Sequence, residues 1–377
     1  MLDLNRAWLP LCLILNFFAS SAMPAHSQNS DVPVPGGTAR LTFADEFQGS
    51  SLDRKKWTTN YTNVLANLPG ELQIYVPDSF DVGQGTLKIR ATKRQVDGYQ
   101  FTSGAMTTYG ALSQTYGYFE TRARVPAGKG LWPALWMLPE DKGWPPEIDI
   151  MEFLGRDVKN IWMTYHWNDA DGRKQKDGSA ASSDDWTKDF HKYGLQWRPG
   201  LLIWYVDGQE AKRLTGPQVP AAPMFLLANL AIGGEWAGPP DSSTNFPAAF
   251  EIDYVRAYQY DDIVEAEAAP RRHLVTTASK QVVKPGDEVT FTFGIETKIP
   301  TENLRFQAAL VDSTGKRRIS TWDTPVPAAG PGALSRSWTY NVPPDLPKGL
   351  YIVSFGIFTM DWKLIDWLNN GITFLVQ

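Results

Sequence analysis

The sequence predicts an all-β protein built from two β-sandwiches, a larger one over residues 37–260 and a smaller one over residues 274–377. Both ranges contain short strands separated by turn signals, and neither carries the pattern of a long amphipathic helix. The chain also has 15 Trp, 14 Tyr and 18 Phe, and aromatic side chains fill the cores of such sandwiches. Many short strands in one region are typical of a two-sheet antiparallel sandwich.

Residues 1–27 predict a secretory signal peptide. An apolar run from Ala7 to Phe18 is followed by small residues, with cleavage sites after Ala22, Ala25 or Ser27. The run is too short to span a bilayer, which disfavours the alternative of a retained membrane anchor. We therefore expect a secreted or periplasmic protein that has no membrane contact once the signal peptide is removed.

Charge and cysteine content exclude several classes of function. The formal net charge is −5 and no cluster of lysine or arginine stands out along the chain, so we expect no nucleic-acid partner. Cys12 is the only cysteine and lies inside the predicted signal peptide, so we expect no disulfide and no cysteine-bound metal in the mature protein. The four histidines form no H-E-x-x-H motif, and no G-x-S-x-G motif is present. We expect a monomer.

The strands of the larger sandwich are predicted from β-branched and aromatic runs between turns. Pro199-Gly200 and Asp207-Gly208 are strong turn pairs, so residues 192–214 are expected to form a three-stranded meander. The strands predicted in this region are Arg40–Asp45, Leu72–Val76, Thr86–Thr92, Ala105–Tyr109, Tyr116–Val125, Leu131–Leu138, Glu147–Phe153, Ile161–Trp167, Lys192–Arg198, Leu201–Val206, Met224–Ala231 and Phe250–Tyr258.

Residues 261–273 carry no strand pattern and are predicted to be a linker with room for one helical turn. Beyond the linker, the turns Lys284–Asp287 and Pro347–Gly349 each lead into a strand, which suits a small immunoglobulin-like sandwich of about 100 residues. The strands predicted here are Gln281–Val283, Glu288–Glu296, Leu304–Val311, Ser335–Tyr340, Gly349–Phe358 and Ile372–Val376.

The stretch Trp144–Gly155, WPPEIDIMEFLG, carries three carboxylates on an otherwise apolar run. Alternate residues of a β-strand share a face, so Glu147 and Asp149 point together. Glu152 breaks this alternation, and burying its charge between the sheets would be costly. A β-bulge at Ile150–Met151 would insert one residue, which turns the methionine inward and places Glu152 beside the other two carboxylates.

Three carboxylates on one face suggest hydrolysis of a glycosidic bond. A retaining glycoside hydrolase uses two carboxyl groups about 5–5.5 Å apart, one ionised and one protonated. The backbones of Glu147 and Glu152 would be roughly 13–16 Å apart along a straight strand, so we expect a concave sheet. Asp149 can share a proton with a glutamate and separate the pKa values, but the spacing does not identify the nucleophile. The competing interpretation is an edge strand with a solvated charged face.

Aromatic and polar residues on neighbouring strands are candidates to line the same cleft. Trp162 and His166 share one face of their predicted strand, although His166 is equally compatible with a role as a core histidine. Trp132 and Trp136 share a face of GLWPALWM and are suited to stacking on sugar rings. Packing between the sheets is the alternative, and we expect at least one of the two tryptophans to do so.

Two further candidates lie near the end of the larger sandwich. Asn229 interrupts an otherwise apolar strand, and Trp236 follows it on a glycine-rich loop. A tryptophan on a loop is better placed to meet a ligand than one in the middle of a strand.

These residues resemble a known family. EIDIMEF at Glu147–Phe153, preceded by GLWPALWMLP and followed by YHWN, is similar to glycoside hydrolase family 16 and in particular to its laminarinase-like branch. The resemblance extends to FADEF, GTLKIRA, YGYFETRARVP, NLAIGG and IDYVRAY, and so covers essentially the whole larger sandwich. It implies a concanavalin-like β-jelly roll whose concave sheet carries an open cleft.

The resemblance also implies residue roles. Glu147 would be the nucleophile, Glu152 the general acid/base, and Asp149 the residue that holds and tunes the nucleophile. Catalysis would need no cofactor, whereas a structural calcium would be held by Asp253 and main-chain carbonyls, one of them near Gly85. The implied sugar-binding residues are Trp132, Trp136 and Trp236 by stacking and His166 and Asn229 by hydrogen bonding, with Trp144 and Trp162 as further candidates in the cleft.

The implied activity is endo-acting, retaining hydrolysis of β-1,3- or mixed-linkage β-glucan. The WPALWML context and the lack of a basic cluster favour a glucan over a sulfated galactan, but agarase- and κ-carrageenase-like activities and a bacterial exopolysaccharide substrate stay open. A transglycosylase would use the same intermediate. A non-catalytic glucan-binding protein is a further alternative, although such relatives have lost the glutamates that this chain keeps. The second sandwich resembles accessory modules and shows no specific sugar-binding signature.

Overall fold

The computed structural model describes residues 32–59, 68–141, 143–169, 171–263, 272–297, 301–313, 318–330, 332–362 and 364–377. The predicted signal peptide and most of the predicted linker lie outside these residues. Within them, no helix combines the length and the apolar character that crossing a membrane requires.

The regular elements in the described part of the larger region are all β-strands except for one helix of a single turn. The elements are β1 Val32–Val34, β2 Gly37–Asp45, β3 Gln73–Tyr75, β4 Phe80–Gly83, β5 Thr86–Ala91, β6 Phe101–Ser103, β7 Ala105–Thr107, β8 Gly117–Arg124, β9 Leu131–Pro139, β10 Glu147–Phe153, β11 Asn160–Asn168, β12 Lys174–Ser182, β13 His191–Arg198, β14 Leu201–Val206, β15 Gln209–Thr215, β16 Met224–Ile232, α1 Gly234–Ala237 and β17 Ala248–Tyr260.

Most of these strands form two antiparallel sheets packed face to face, while β3 and β6 form a separate parallel pair. One has the order β1-β2-β17-β8-β13-β14-β15, with β5 also paired to β17 and β4 paired to β5. The other has six strands in the order β12-β11-β10-β9-β16-β7. A continuous core fills the space between the sheets and contains the fully buried Trp197 and Trp204. The predicted all-β sandwich and the meander β13-β14-β15 are confirmed.

The six-stranded sheet has two unlike faces because its strands alternate. On β11, Ile161, Met163 and Tyr165 are buried in the core, while the residues between them point the other way. We call the side remote from the core the cleft face. The jelly-roll sheet therefore offers one whole surface for residues that have no part in packing.

Sequence patterns missed several strands. β12 has the sequence KQKDGSAAS, which lacks the β-branched and aromatic residues of a typical strand. It forms because every residue from Lys174 to Ser182 pairs with β11. The predicted linker also ends earlier than expected, since Arg272 and His273 already belong to a strand.

The second region forms a separate set of strands around its own core. A three-stranded sheet, β18-β20-β23, and a five-stranded sheet, β19-β25-β24-β21-β22, enclose buried aromatic residues such as Phe291 and Phe306. The immunoglobulin-like topology stays a prediction. The strands are β18 Arg272–Ala278, β19 Val282–Val283, β20 Glu288–Thr297, β21 Leu304–Asp312, β22 Arg318–Val326, β23 Gly332–Asn341, β24 Gly349–Thr359 and β25 Leu364–Val376.

The two sandwiches touch near β3. Leu350 of the second sandwich packs in one buried cluster with Ile74 and Val76 of the first. The main-chain N–H of Leu350 donates to Oδ2 of Asp97 at 3.0 Å. This contact supports β3, whose Tyr75 reaches the candidate site described next.

Candidate active site

A bulge in β10 brings the three carboxylates together. The register of β10 shifts between Asp149 and Met151 against β9, and between Asp149 and Glu152 against β11. Met151 is fully buried in the core, and Glu152 lines the cleft with Glu147 and Asp149. The predicted bulge is confirmed, because the inserted residue restores the alternation that Glu152 would otherwise break.

The cleft face carries an open cleft with a volume of about 970 Å³. It extends from β12 across β11, β10 and β9 to β16 and the α1 turn. All ten residues predicted to be catalytic or sugar-binding line it: Trp132, Trp136, Trp144, Glu147, Asp149, Glu152, Trp162, His166, Asn229 and Trp236. Residues as far apart in the sequence as Trp132 and Trp236 therefore converge on one surface.

Three neighbouring side chains contact the carboxylate of Glu147 or lower its pKa. The indole N–H of Trp144 donates to its Oε2 at 2.9 Å, and His166 Nε2 lies 3.8 Å from its Oε1. Burial raises the pKa of Glu147, while His166, Trp144 and a hydrogen bond from Asp149 act in the opposite direction. These three partners favour the charged form that a nucleophile needs.

Asp149 is held from both its side chain and its main chain. Its side chain is only 3% exposed, and burial followed by the charge of Glu147 raises its pKa well above the usual range. His166 Nε2 lies 3.4 Å from its Oδ2, and Trp204 from the opposite sheet donates its indole N–H to the Asp149 main-chain oxygen at 2.8 Å. The side chains of Asp149 and Glu147 also interact by a hydrogen bond, which lowers the pKa of Glu147 and raises that of Asp149.

Glu152 has the environment of a proton donor. Burial raises its pKa well above the usual range, and the neighbouring charges of Asp149 and Glu147 add to that effect. The one opposing hydrogen bond comes from Trp132, whose indole N–H donates to Glu152 Oε1 at 3.1 Å. Burial therefore raises the pKa of both glutamates, and the pKa of Glu152 lies well above its usual range.

A hydrogen-bonded chain fixes the floor of the cleft beside these carboxylates. The indole N–H of Trp136 donates to Asn229 Oδ1 at 2.9 Å, and Asn229 Nδ2 donates to the hydroxyl of Tyr75 at 3.0 Å. Trp132 and Trp136 both lie on the cleft face, so the expectation that one of them packs between the sheets is wrong. The residues that alternate with them, such as Leu135, fill the core instead.

Aromatic rings form the walls of the cleft. Trp236 makes edge-to-face contacts with Trp132 and Trp162, with ring centroids 5.4 and 5.8 Å apart. The indole nitrogen of Trp162 is buried and has no hydrogen-bond partner among the described residues. Trp144 is 42% exposed, and the ammonium of Lys174 lies over its ring at 4.3 Å.

Similarity to known proteins agrees with this geometry. The family model described as glycosyl hydrolases family 16 matches residues 71–256. The Beta-glucanase of Rhodothermus marinus is 36% identical over 247 residues, which is 58% of this chain and 85% of the relative. This chain belongs to glycoside hydrolase family 16.

Other members of family 16 show the same agreement. The Endo-1,3-1,4-beta-glycanase EglC of Rhizobium meliloti is 36% identical over 270 residues, covering 66% of this chain and 57% of the relative. This chain thus spans little more than half the length of that relative. The laminarinase catalytic domain of Thermotoga maritima aligns with a TM-score of 0.54 at 35% identity, over 59% of this chain and 99% of that domain. The jelly-roll fold implied by the sequence is thereby confirmed.

Two groups of residues in the family 16 domain bear on metal binding. Glu147, Asp149 and His166 offer ligand atoms within 4.8 Å of one another, and they are the groups whose protonation is described above. Asp253 instead forms an ion pair with Arg122, so its carboxylate already has a cationic partner. These residues do not present an open ligand set for calcium, and a calcium ion at Asp253 stays a prediction.

Sequence reasoning missed three charged residues that line the cleft and a tyrosine that supports it. Glu71 and Glu235 line the cleft near β16, and Lys176 lines it from β12. Tyr75 supports Asn229 from β3. If the polar sequence of β12 had been recognised as a strand, its alternation would have placed Lys176 on the cleft face. Glu71 and Glu235 follow no sequence pattern that separates them from ordinary surface residues.

Proposed function

We propose that this chain is an endo-acting, retaining hydrolase of β-1,3- or mixed-linkage β-1,3-1,4-glucan. The proposal rests on two carboxyl groups of the bulged strand. Glu147 is contacted by groups that lower its pKa, whereas burial raises the pKa of Glu152 well above the usual range and so favours its protonated form. Such a pair is what double displacement at a glycosidic bond requires. Two relatives named above, a beta-glucanase and an endo-1,3-1,4-beta-glycanase, support the choice of glucan as the substrate.

In the first step, Glu147 attacks the anomeric carbon while Glu152 gives its proton to the glycosidic oxygen, which leaves with the bonding electron pair. The product is a sugar ester of Glu147. In the second step, the ionised Glu152 removes a proton from water, and the water oxygen displaces Glu147 from the anomeric carbon. Asp149 stays in place throughout and donates its hydrogen bond to Glu147.

The shape of the cleft supports cleavage within chains. The carboxylates lie on β10, with cleft lining on both sides of it, from Lys176 on β12 to Asn229 on β16. A polysaccharide running across the strands therefore has contacts on both sides of the scissile bond. The reaction uses no cofactor, and the protein is proposed to act as a secreted or periplasmic monomer.

Glu147→Gln tests this function directly. The substitution keeps the side chain's size but removes the nucleophile, so we expect release of reducing ends from laminarin and lichenan to fall by at least about a thousandfold. Glu210→Gln is the matched control, because Glu210 is paired with Arg213 on the opposite sheet. Unchanged turnover in the Glu147 variant would reject the assignment.

The products distinguish the remaining alternatives. NMR of the first products should show the β-anomer, and mass spectrometry should show internal fragments rather than single sugars. Oligomers longer than the starting chain would indicate a transglycosylase. Release from agarose or κ-carrageenan, without release from laminarin or lichenan, would indicate a galactanase.

A further inference from the structure

The edge strand β12 carries two lysines on the cleft face. Its residues alternate between exposed and half-buried positions along the whole strand, and Lys174 and Lys176 both occupy exposed positions. Lys176 lines the cleft and lies opposite His166 in the register with β11. Lys174 holds its ammonium 4.3 Å from the centroid of the Trp144 ring. Both cations therefore lie on the cleft face two strands away from Glu147, with β11 between them and the strand of the carboxylates.

Neither lysine is neutralised by the described part of the protein. The nearby carboxylates are engaged elsewhere, since Asp177 pairs with Lys212 and Asp171 pairs with Arg173. No described carboxylate lies within ion-pair distance of Lys174 or Lys176. The sequence has a short basic run here, Arg173-Lys174-Gln175-Lys176, between Asp171 and Asp177. The expectation that no cluster of lysine or arginine stands out along the chain is therefore wrong at this strand.

The opposite end of the cleft has the other sign of charge. Glu71 and Glu235 line the cleft beside β16 and α1. Glu71 accepts hydrogen bonds from the main-chain N–H of Leu68 at 3.2 Å and from Gln73 Nε2 at 3.0 Å, and no lysine or arginine lies within ion-pair distance among the described residues. A substrate that lies across the whole cleft therefore meets cations on one side of the scissile bond and carboxylates on the other.

We propose that the β12 side of the cleft selects a glucan unit that carries a carboxylate substituent, while the β16 side takes neutral units. The inference rests on the proposed function, because it assumes that a glucan chain crosses the strands at the three carboxylates. Lysine provides a compact, mobile point charge, which suits a substituent whose position varies along the chain. The next exposed positions of the strand, Gly178 and Ala180, carry small residues, so this side of the cleft leaves room for a substituent on the glucan.

Edge protection is the ordinary use of lysine on an edge strand, because charge discourages pairing with another sheet. That use requires no particular face. Here both lysines of β12 lie on the face that holds the active site, and the other face of the strand carries no lysine. Specificity and edge protection make different predictions for catalysis.

The test compares laminarin with laminarin oxidised at its primary hydroxyls to carboxylates. The ratio of kcat/KM for the oxidised over the neutral polymer is measured for the wild-type protein, for Lys174→Gln/Lys176→Gln, and for the control Lys55→Gln/Lys192→Gln. The control lysines are also exposed and have no ion pair among the residues that the structure describes, but they do not line the cleft. We expect the cleft variant to lower the ratio about fivefold at low salt, with the control unchanged. The difference should largely vanish at about 1 M NaCl, because salt screens exposed charges.

An equal ratio for the wild type and the cleft variant would overturn the proposal while leaving glucan hydrolysis intact. Failure of the wild type to cleave either polymer would instead reject the proposed function. In that case calorimetric titration with oxidised and neutral laminarin still decides the inference, since tighter binding of the oxidised polymer that is lost in the cleft variant supports it and equal binding rejects it.

Discussion

The two faces of the six-stranded sheet follow opposite rules. On the core face, Ile148, Met151 and Phe153 of β10 are fully buried among aliphatic and aromatic neighbours. On the cleft face of the same strand, Glu147 and Glu152 are packed against tryptophans at a site where burial raises their pKa values. Apolar burial on the core face stabilises the folded state. Burial of the carboxyl groups on the cleft face disfavours their charged forms.

The cleft face thus contains buried polar groups that lower the stability of the protein but serve its proposed reaction. Asp149 Oδ2 and the indole nitrogen of Trp162 are buried without hydrogen-bond partners among the described residues. An unpaired buried polar atom is costly. The hydroxyl of Tyr193 and the amide atoms of Gln259 share this state among the described residues, so the cleft face is distinguished by its buried carboxylates. Substitutions on the two faces should consequently separate activity from stability.

Glu152→Gln should give the largest separation of the two properties. Without the proton donor, hydrolysis of laminarin should fall by about a thousandfold. Hydrolysis of an aryl β-glucoside oligomer with a dinitrophenolate leaving group should fall far less in its first step, because that group leaves without protonation. Equal losses on both substrates, measured from initial rates, would show that Glu152 is not the acid.

The same variant should be more stable than the wild type at neutral pH. The folded-state pKa of Glu152 is raised, so ionising it opposes folding once the pH exceeds the usual glutamate range. Replacing it with an amide removes that penalty, so the gain in the free energy of unfolding should be near zero at about pH 4 and grow toward about pH 7. Urea unfolding across this range measures the trend, and a gain that shrinks with rising pH would contradict it.

The sequence predicts which residues reach the cleft face better than it predicts the contacts that hold them there. Regular alternation identified β9, β10 and β11, and the misplaced Glu152 was enough to predict the bulge. The hydrogen bond from Trp136 to Asn229 joins strands far apart in sequence, so no local pattern reveals it. β12 escaped prediction because pairing with β11, rather than its own composition, makes it a strand.

Met151→Ala should destabilise the protein without removing a catalytic group. Met151 is the residue that the bulge turns into the core, and it is fully buried there. The cavity left by the substitution should lower the free energy of unfolding by about 3 kcal/mol. Met360→Ala is the control, because Met360 is 46% exposed and should change stability little. Equal unfolding midpoints for the two variants in urea would contradict the assignment of Met151 to the core face.

Trp136→Phe should have the smallest effect, and it tests how far the cleft face contributes to stability as well as to activity. The change leaves Asn229 Oδ1 without its donor in a buried position, so we expect a loss of about 1 kcal/mol in stability. Trp57→Phe is the counterpart in the core, because its indole N–H donates to Asp45 Oδ2 at 2.7 Å and is also buried. Both variants should lose comparable stability, but only Trp136→Phe should raise KM for laminarin, by about fivefold, since Asn229 lines the cleft. An equal rise in KM for both would show that loosening the sandwich anywhere disturbs the site, and that the two faces are not independent.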